Sequence, residues 1–145
     1  MNTLHERHIS QPDAARLAIV IDTRALTHPS ERDDLDELAD TLSTARVLPA
    51  DEVPADSAAL GARVAIRLTH DATVTPNSLV LVEPKDAAPA QGRISVVSPL
   101  GRTLLGLRPG MRSPVALPGG RDAEVEVVSV EREEVHRDEA DAAVR

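Results

Sequence analysis

The chain has 145 residues, a formal net charge of −8 at pH 7 and 41% hydrophobic residues, but it contains no Phe, Tyr, Trp or Cys. This composition predicts one or two small globular domains with a core of Leu, Val, Ile and Ala, and it excludes disulfides, thiolate zinc sites and cysteine nucleophiles. Without aromatic rings on which bases can stack, single-stranded nucleic acid binding is disfavoured as well. The sequence shows no run of about 18 apolar residues and no signal-peptide core, so we expect a cytoplasmic protein that neither enters a membrane nor reads nucleic acid sequence directly.

Residues 1–48 are rich in acidic side chains, and we predict that they form a short antiparallel helical hairpin. The first helix is expected to begin at Ser10 or Gln11, since Pro12 suits a first helical turn, and to end near Arg24. This prediction depends on apolar residues at helical spacing, which are Ala14, Leu17, Ala18 and Ile21.

The second helix is expected to begin with a capping arrangement of Ser30 and Asp33 and to end before Pro49. Its apolar repeat consists of Leu35, Leu38, Leu42 and Ala45. A helix of about 12 residues rises only ~18 Å, so the hairpin is short. Its tip would carry three carboxylates, from Glu31, Asp33 and Asp34.

Residues 49–58 are predicted to be a linker, and residues 59–131 a compact α+β domain with about five strands around one short helix. A shift of the apolar positions in the last strand indicates a bulge, and the charged tail at 132–145 is expected to fray. The predicted strands are Arg63–Leu68, Ser78–Val82, which would be central, Ile94–Val97, Val115–Leu117 and Glu124–Val130.

The stretch from Ile94 to Gly120 is the most informative part of the chain. After a β-branched strand, Ser98 is suited to cap a helix that has Pro99 as its first residue, and Gly106 is suited to end that helix. Arg108 to Met111 then has Pro and Gly at the central positions of a type II turn. The sequence therefore predicts a strand, a capped helix, a turn and a hairpin in immediate succession.

Three pieces of this stretch resemble the C-terminal domain of the GreA/GreB transcript cleavage factor family. They are Ser98-Pro99-Leu100-Gly101, Leu104-Leu105-Gly106 and Leu117-Pro118-Gly119-Gly120. The resemblance runs in order from about Pro12 to Val130, and the short helical part is most similar to the branch of nucleoside diphosphate kinase regulators. It implies an FKBP-like antiparallel sheet domain that docks on bacterial RNA polymerase, at the rim coiled coil of the secondary channel.

The resemblance also implies a binding site, at Ser98, Pro99, Leu100, Gly101 and Arg102. The alternative is that these residues only turn the chain. Between Ala87 and Arg121 no acidic residue occurs, which favours an acidic protein partner, although the arginines there could simply solvate the surface. These cationic residues are Arg93, Arg102, Arg108, Arg112 and Arg121.

In the cleavage factors, an acidic pair at the tip of a long coiled coil helps to hold a catalytic magnesium ion. Here the coil is too short, and the tip carboxylates also have a simpler explanation, which is to complement the positive end of a helix. We therefore predict a monomeric, non-enzymatic regulator without transcript cleavage activity. Two alternatives remain open: a cleavage factor that uses the tip carboxylates, and an interaction module that modulates a metabolic enzyme such as nucleoside diphosphate kinase.

No other chemistry is predicted. The histidines are scattered, and the nearest pair, His5 and His8, lacks further ligands, so no metal site is expected. The sequence contains neither a serine elbow of the Gly-x-Ser-x-Gly type nor a phosphate-binding Gly-Lys-Ser or Gly-Lys-Thr loop. We therefore expect no catalytic residues and no cofactor.

Overall fold

The computed structural model describes residues 6–117 and 119–131. A short strand β1 (His8–Ser10) leads into helix α1 (Gln11–Thr27), and a 3-10 turn connects α1 to helix α2 (Arg32–Thr44). Strand β2 (Arg46–Leu48) follows and pairs in parallel with β1. None of the helices among the described residues has the length and apolar composition that a membrane span requires. The tail predicted at 132–145 lies outside the described residues.

Helix α1 begins as the sequence predicts. The Ser10 side chain accepts a hydrogen bond from the Asp13 amide at 3.2 Å, and Pro12 lies in the first turn. The helix continues three residues beyond Arg24, to Thr27. The two helices are 17 and 13 residues long, which corresponds to about 26 and 20 Å.

The predicted cap of the second helix is wrong. Residues Pro29–Glu31 form a 3-10 turn, in which the Glu31 amide donates to the His28 carbonyl at 3.0 Å, and α2 begins after it without a side-chain cap. The fixed φ of Pro29 favours a tight turn at this point. A bidentate pair between Arg24 of α1 and Glu31 then stabilises the connection.

A five-stranded sheet follows the helices. Its strands are β3 Arg63–His70, β4 Thr73–Val82, β5 Arg93–Ser95, β6 Arg112–Leu117 and β7 Arg121–Glu131. They are arranged in the order β5-β4-β3-β7-β6, and helix α3 (Pro99–Leu104) lies between β5 and β6 in the chain, as predicted.

The pairing confirms one sequence prediction and corrects another. Ser129 pairs with Ala65 but Val127 pairs with Ile66, so Val128 is the extra residue of the predicted bulge in β7. The sheet is not fully antiparallel, because β5 runs parallel to β4. Two 3-10 turns between these strands, Pro84–Asp86 and Pro89–Gln91, carry the chain back so that β5 starts beside Val80, near the C-terminal end of β4. Interior strand β4 is also longer than predicted.

One buried apolar cluster joins the helices to the sheet. Leu17 and Leu38 of the hairpin belong to the same cluster as Val64, Leu79 and Val125 of the strands, and all five are almost fully buried. The helices therefore form a layer on the sheet domain and do not project from it as a free arm. Burial of this shared apolar surface is the main contribution that holds the two parts together.

The stretch predicted as a linker, residues 49–58, contains buried residues from position 53 onwards. Val53, Ser57 and Ala58 are buried. The Ala58 amide donates to the Leu107 carbonyl at 2.8 Å, and the Ala58 carbonyl accepts from the Gly106 amide at 2.8 Å. These bonds fix the end of the stretch beside the residues that follow α3.

Candidate functional site

The predicted binding residues lie at the start of α3, in a segment of residues 95–102 that we name the α3 corner. Ser98 caps the helix: its hydroxyl accepts from the Gly101 amide at 3.2 Å and donates to the Ser95 carbonyl at 2.7 Å. The Ser95 hydroxyl accepts in turn from the Val97 amide at 3.0 Å. Both serine hydroxyls are thus bonded within the corner, which fixes its backbone.

Pro99 occupies the first turn of α3, where a missing amide hydrogen has no consequence. Its ring and the Leu100 side chain are half-buried, and Leu100 packs against the core cluster. Pro99 therefore contributes accessible apolar surface at a position that cannot flex about φ.

Gly101 has a structural role inside the corner. It is buried, and a Cβ atom built on it would lie 2.0 Å from the Ser95 carbonyl oxygen. Backbone atoms cannot move out of the way as a flexible side chain can, so only glycine allows α3 to approach the strand this closely. Gly101 has no side chain that could contact a binding partner. Its role is to allow the close packing that sets the shape of the surface formed by its neighbours.

Arg102 links the corner to the helical hairpin. One guanidinium nitrogen, Nη1, donates to the Val97 carbonyl at 2.8 Å and to the Asp34 carboxylate of α2 at 3.0 Å. The Arg102 side chain is only 16% exposed. Its charge is thus partly neutralised by a residue 68 positions earlier in the chain.

Arg7, which no sequence pattern indicated, donates hydrogen bonds to the carbonyl groups at the C-terminal end of α3. Its Nη1 donates to the carbonyls of Arg102, Thr103 and Leu105 at 3.2, 2.6 and 2.7 Å. Burial lowers the pKa of the Arg7 guanidinium. The last carbonyls of a helix lack partners within the helix, so one cation there replaces several missing donors. No spacing rule connects Arg7 to a helix about 95 residues later.

The three tip carboxylates do not converge. Glu31 is held by Arg24 at 2.6 and 2.9 Å, and the hydrogen bonds from Arg24 lower the pKa of Glu31. Asp34 is paired with Arg102, and Asp33 is exposed to solvent. Among the described residues, no group of three or more His, Cys, Asp or Glu side chains could hold a metal ion.

The cationic stretch predicted from the sequence is not one continuous surface. Arg93 lies in edge strand β5 and Arg112 in the opposite edge strand β6. Arg108 has a buried Nε without a hydrogen-bond partner, whereas Arg121 is exposed at the start of β7. Arg102 is the cation of this group that lies in the α3 corner itself.

A cleft of about 570 Å³ lies where the end of β4 meets the start of β5, away from the α3 corner. Its lining mixes both signs of charge: Arg16, Arg63 and Arg93 face Glu83 and Asp86. Arg16 forms an ion pair with Glu83 at 3.5 Å, and the Arg93 Nε donates to the Asp86 carbonyl at 3.1 Å. Arg16 is therefore offset by a carboxylate, and the mixed lining gives the cleft no clear preference for a charged ligand.

Comparison with known proteins points to one family. The family model of the C-terminal part of transcription elongation factors GreA/GreB matches residues 53–132. The chain is 31% identical over 123 residues to the regulator of nucleoside diphosphate kinase of Escherichia coli K12, which covers 85% of this chain and 87% of that protein. It is 37% identical over 84 residues to transcription elongation factor GreA of Chloroflexus aurantiacus, which covers 58% of this chain and 52% of that protein.

A solved structure agrees with these matches. The prokaryotic transcription elongation factor GreA/GreB from Nitrosomonas europaea superposes with a TM-score of 0.64 at 32% sequence identity. The alignment covers 87% of this chain and 98% of that chain, so it includes the helices as well as the sheet. The α+β arrangement with a five-stranded sheet is thus a GreA/GreB-like fold.

Proposed function

Because the chain belongs to the GreA/GreB family of transcription elongation factors, we propose that it is a transcription regulator that binds bacterial RNA polymerase through the α3 corner. The expected contact is the coiled coil at the rim of the polymerase secondary channel. The chain would act there as a monomer in the cytoplasm, without direct nucleic acid recognition. The FKBP-like description of the sheet domain and the domain limits at residues 48 and 59 remain predictions.

The internal hydrogen bonding and close packing of the α3 corner are the observations that carry this proposal. The serine hydroxyls and the buried Gly101 fix the backbone, so Pro99 is presented in one conformation. A surface that is already ordered loses little conformational entropy on binding. The corner therefore suits recognition better than a flexible loop of the same composition would.

We also propose that the chain does not cause transcript cleavage, and the helical hairpin supports this. Glu31 and Asp34 are each engaged by an arginine, which leaves Asp33 as the unpaired tip carboxylate among the described residues. The helices also pack into the core of the sheet domain, and α2 is only 13 residues long. Two carboxylates that bind different arginines, on a short hairpin, are poorly placed to act together as magnesium ligands at a distant reaction centre. By occupying the rim site, the chain would instead compete with cleavage factors.

Binding is tested by pull-down of core RNA polymerase with the full chain and with Pro99→Asp. Aspartate is well tolerated in the first turn of a helix, so this variant is expected to fold while losing the apolar contact. The matched control is Pro76→Asp, at an exposed position in β4 opposite Arg67. We expect at least about a tenfold loss of affinity for Pro99→Asp alone, equivalent to ~1.4 kcal/mol. Equal binding of all three proteins would reject the α3 corner as the contact.

Cleavage is tested separately with stalled elongation complexes. We expect no shortened transcripts with the wild-type chain, and reduced cleavage when it competes with a cleavage factor. If the wild-type chain did produce cleavage, and Asp33→Asn with Asp34→Asn abolished it, the cleavage-factor alternative would be correct.

A second candidate function is suggested by the name of the Escherichia coli relative, a regulator of nucleoside diphosphate kinase. Under this alternative the chain would bind that enzyme directly and alter its rate. The kinase would then respond to the purified chain in the absence of polymerase, whereas our proposal predicts an unchanged rate.

A further inference from the structure

Helix α1 exposes apolar side chains on the face that points away from the core. Ala15, Ile19, Asp22 and Leu26 lie within about 60° of one another around the helix, and we name them the α1 outer stripe. Ile19 is 66% exposed and Leu26 is 85% exposed. The inner face of the same helix, with Leu17 and Val20, is buried. Helix α1 is therefore apolar on both faces, although only one face has a partner in the described chain.

Two shallow grooves border the α1 outer stripe. One, of about 330 Å³, lies between α1 and the end of β4, and its lining includes Ile19 and Pro84. The other, of about 340 Å³, lies between α1 and α2, and its lining includes Ala25 and Leu35. The stripe thus forms a ridge between two partly apolar grooves, a shape to which the side chains of another helix can pack.

Acidic side chains lie within this apolar surface and along the neighbouring helix α2. The solvent face of α2 carries Asp33, Asp36, Glu37 and Asp40 at helical spacing, and Asp36 also lines the groove beside α1. Asp22 lies within the stripe. None of these five carboxylates forms an ion pair with another described residue. Three cations line the two grooves: Arg24, which is paired with Glu31, and Arg32 and Lys85. The five carboxylates therefore outnumber the two remaining cations.

We infer that the α1 outer stripe is a docking surface for a cationic amphipathic helix of another protein. Apolar side chains one or two helical turns apart would contact Ile19 and Leu26, which are separated by seven positions. Lysines or arginines beside them would pair with Asp22, Asp36 and Asp40. Charge complementarity of this kind selects a basic partner and accelerates its association.

The acidic surroundings disfavour the other occupants of an exposed apolar face. An anionic lipid surface or a nucleic acid would be repelled by the five carboxylates. A second copy of this chain carries the same net charge of −8 and would bring like charges together. A basic helix is the occupant for which both the apolar stripe and its charged borders are favourable.

This surface is separate from the α3 corner. Helix α2 contacts α1 on one side, and its Asp34 reaches Arg102 of α3 on another. The inference therefore goes beyond the proposed polymerase contact at Pro99, and the two contacts can be tested with different variants.

The test uses the full chain and a fluorescent model peptide of about four helical turns, built from Leu and Lys with the Leu residues on one face. Binding is followed by anisotropy at low and high salt. Ile19→Gln with Leu26→Gln removes the apolar contacts while retaining helix-forming residues. The matched control is Val74→Gln, because Val74 is 53% exposed on a distant strand.

We expect the Ile19 and Leu26 double variant to weaken peptide binding at least about tenfold, and the Val74 control to leave the affinity within about twofold. Asp36→Asn with Asp40→Asn should weaken peptide binding and also reduce its salt dependence. A peptide with Glu in place of Lys should not bind. Unchanged binding of the double variant, or equal binding of the Glu peptide, would overturn the inference. So would concentration-dependent dimerisation of the chain, measured by sedimentation, that the double variant abolishes. Circular dichroism of each variant verifies that the helices are intact.

Discussion

The α3 corner and the tip of the helical hairpin both place polar residues at the start of a helix, but the bonding partners of those residues come from different parts of the chain. In the corner, the Ser98 hydroxyl bonds to groups three positions away on either side. At the tip, Glu31 pairs with Arg24 on the other helix, and Asp34 pairs with Arg102 in α3. The first arrangement is local and partly buried, whereas the second depends on how distant segments pack.

This difference determines how much each substitution is expected to lower the free energy of unfolding. Groups in a close-packed backbone arrangement cannot be altered without steric conflict or loss of buried hydrogen bonds, and such changes destabilise a small domain strongly. Ion pairs near the surface are each worth about 0–1 kcal/mol. Substitutions should therefore have large effects at α3 and small effects at the hairpin tip.

The largest effect is expected for Gly101→Ala. The new Cβ would lie 2.0 Å from the Ser95 oxygen, so α3 must move away from the strand, with a loss of about 3 kcal/mol or more in the free energy of unfolding. Gly110→Ala is the matched control, because Gly110 has a positive φ of 91° but no atom within 4 Å of an added Cβ, and about 1–2 kcal/mol is expected there. Urea unfolding measures both. Equal losses would show that the close approach of α3 is not the reason for glycine at position 101.

Arg7→Gln should follow in size. It removes the donor shared by three carbonyls at the end of α3, with an expected loss of about 2–3 kcal/mol. Arg7→Lys should lose less, since the ammonium can still reach some of these oxygens. Thermal and urea unfolding would rank the variants, and a Gln variant as stable as the Lys variant would contradict the assigned role of the guanidinium.

A smaller effect, of about 1 kcal/mol, is expected for Ser98→Ala, which leaves the Gly101 amide without its cap. Ser98→Thr retains the hydroxyl and should recover most of the stability. Hydrogen exchange of the Gly101 amide offers a direct measurement: its protection should fall in the alanine variant and persist in the threonine variant.

The smallest effect concerns Glu31 and depends on pH. Arg24 lowers the pKa of Glu31 in the folded state, so this pair stabilises the protein above the unfolded-state pKa of glutamate, and the stabilisation is lost as the pH falls through the folded-state value. Glu31→Gln should cost at most about 1 kcal/mol at pH 7. The difference between wild type and variant should shrink as the pH is lowered from about 5 towards 3. A difference that stays constant over this range would exclude the Arg24 pair as its cause.

Sequence reasoning was most successful where neighbouring residues determine the structure. The start of α1 at Gln11, the Ser98 cap, the Pro99 start of α3 and the bulge in β7 follow from short patterns, and all are confirmed. The predicted cap at Ser30 is wrong, although its sequence pattern is equally suggestive. There, the turn at Pro29 and the pair between Arg24 and Glu31 provide a different connection between the helices.

The α+β class and the shape of the α3 corner can be read from the sequence, because they depend on periodicity and on bonds that span a few residues. The family follows from the resemblance of the motifs between Ser98 and Gly120. The tertiary structure decided what the charged residues do. It brought Arg7 to the end of α3, divided the tip carboxylates among separate partners and left the outer face of α1 uncovered. Such outcomes depend on which distant surfaces share one core, and no local pattern encodes the position of a partner about 70 to 100 residues away.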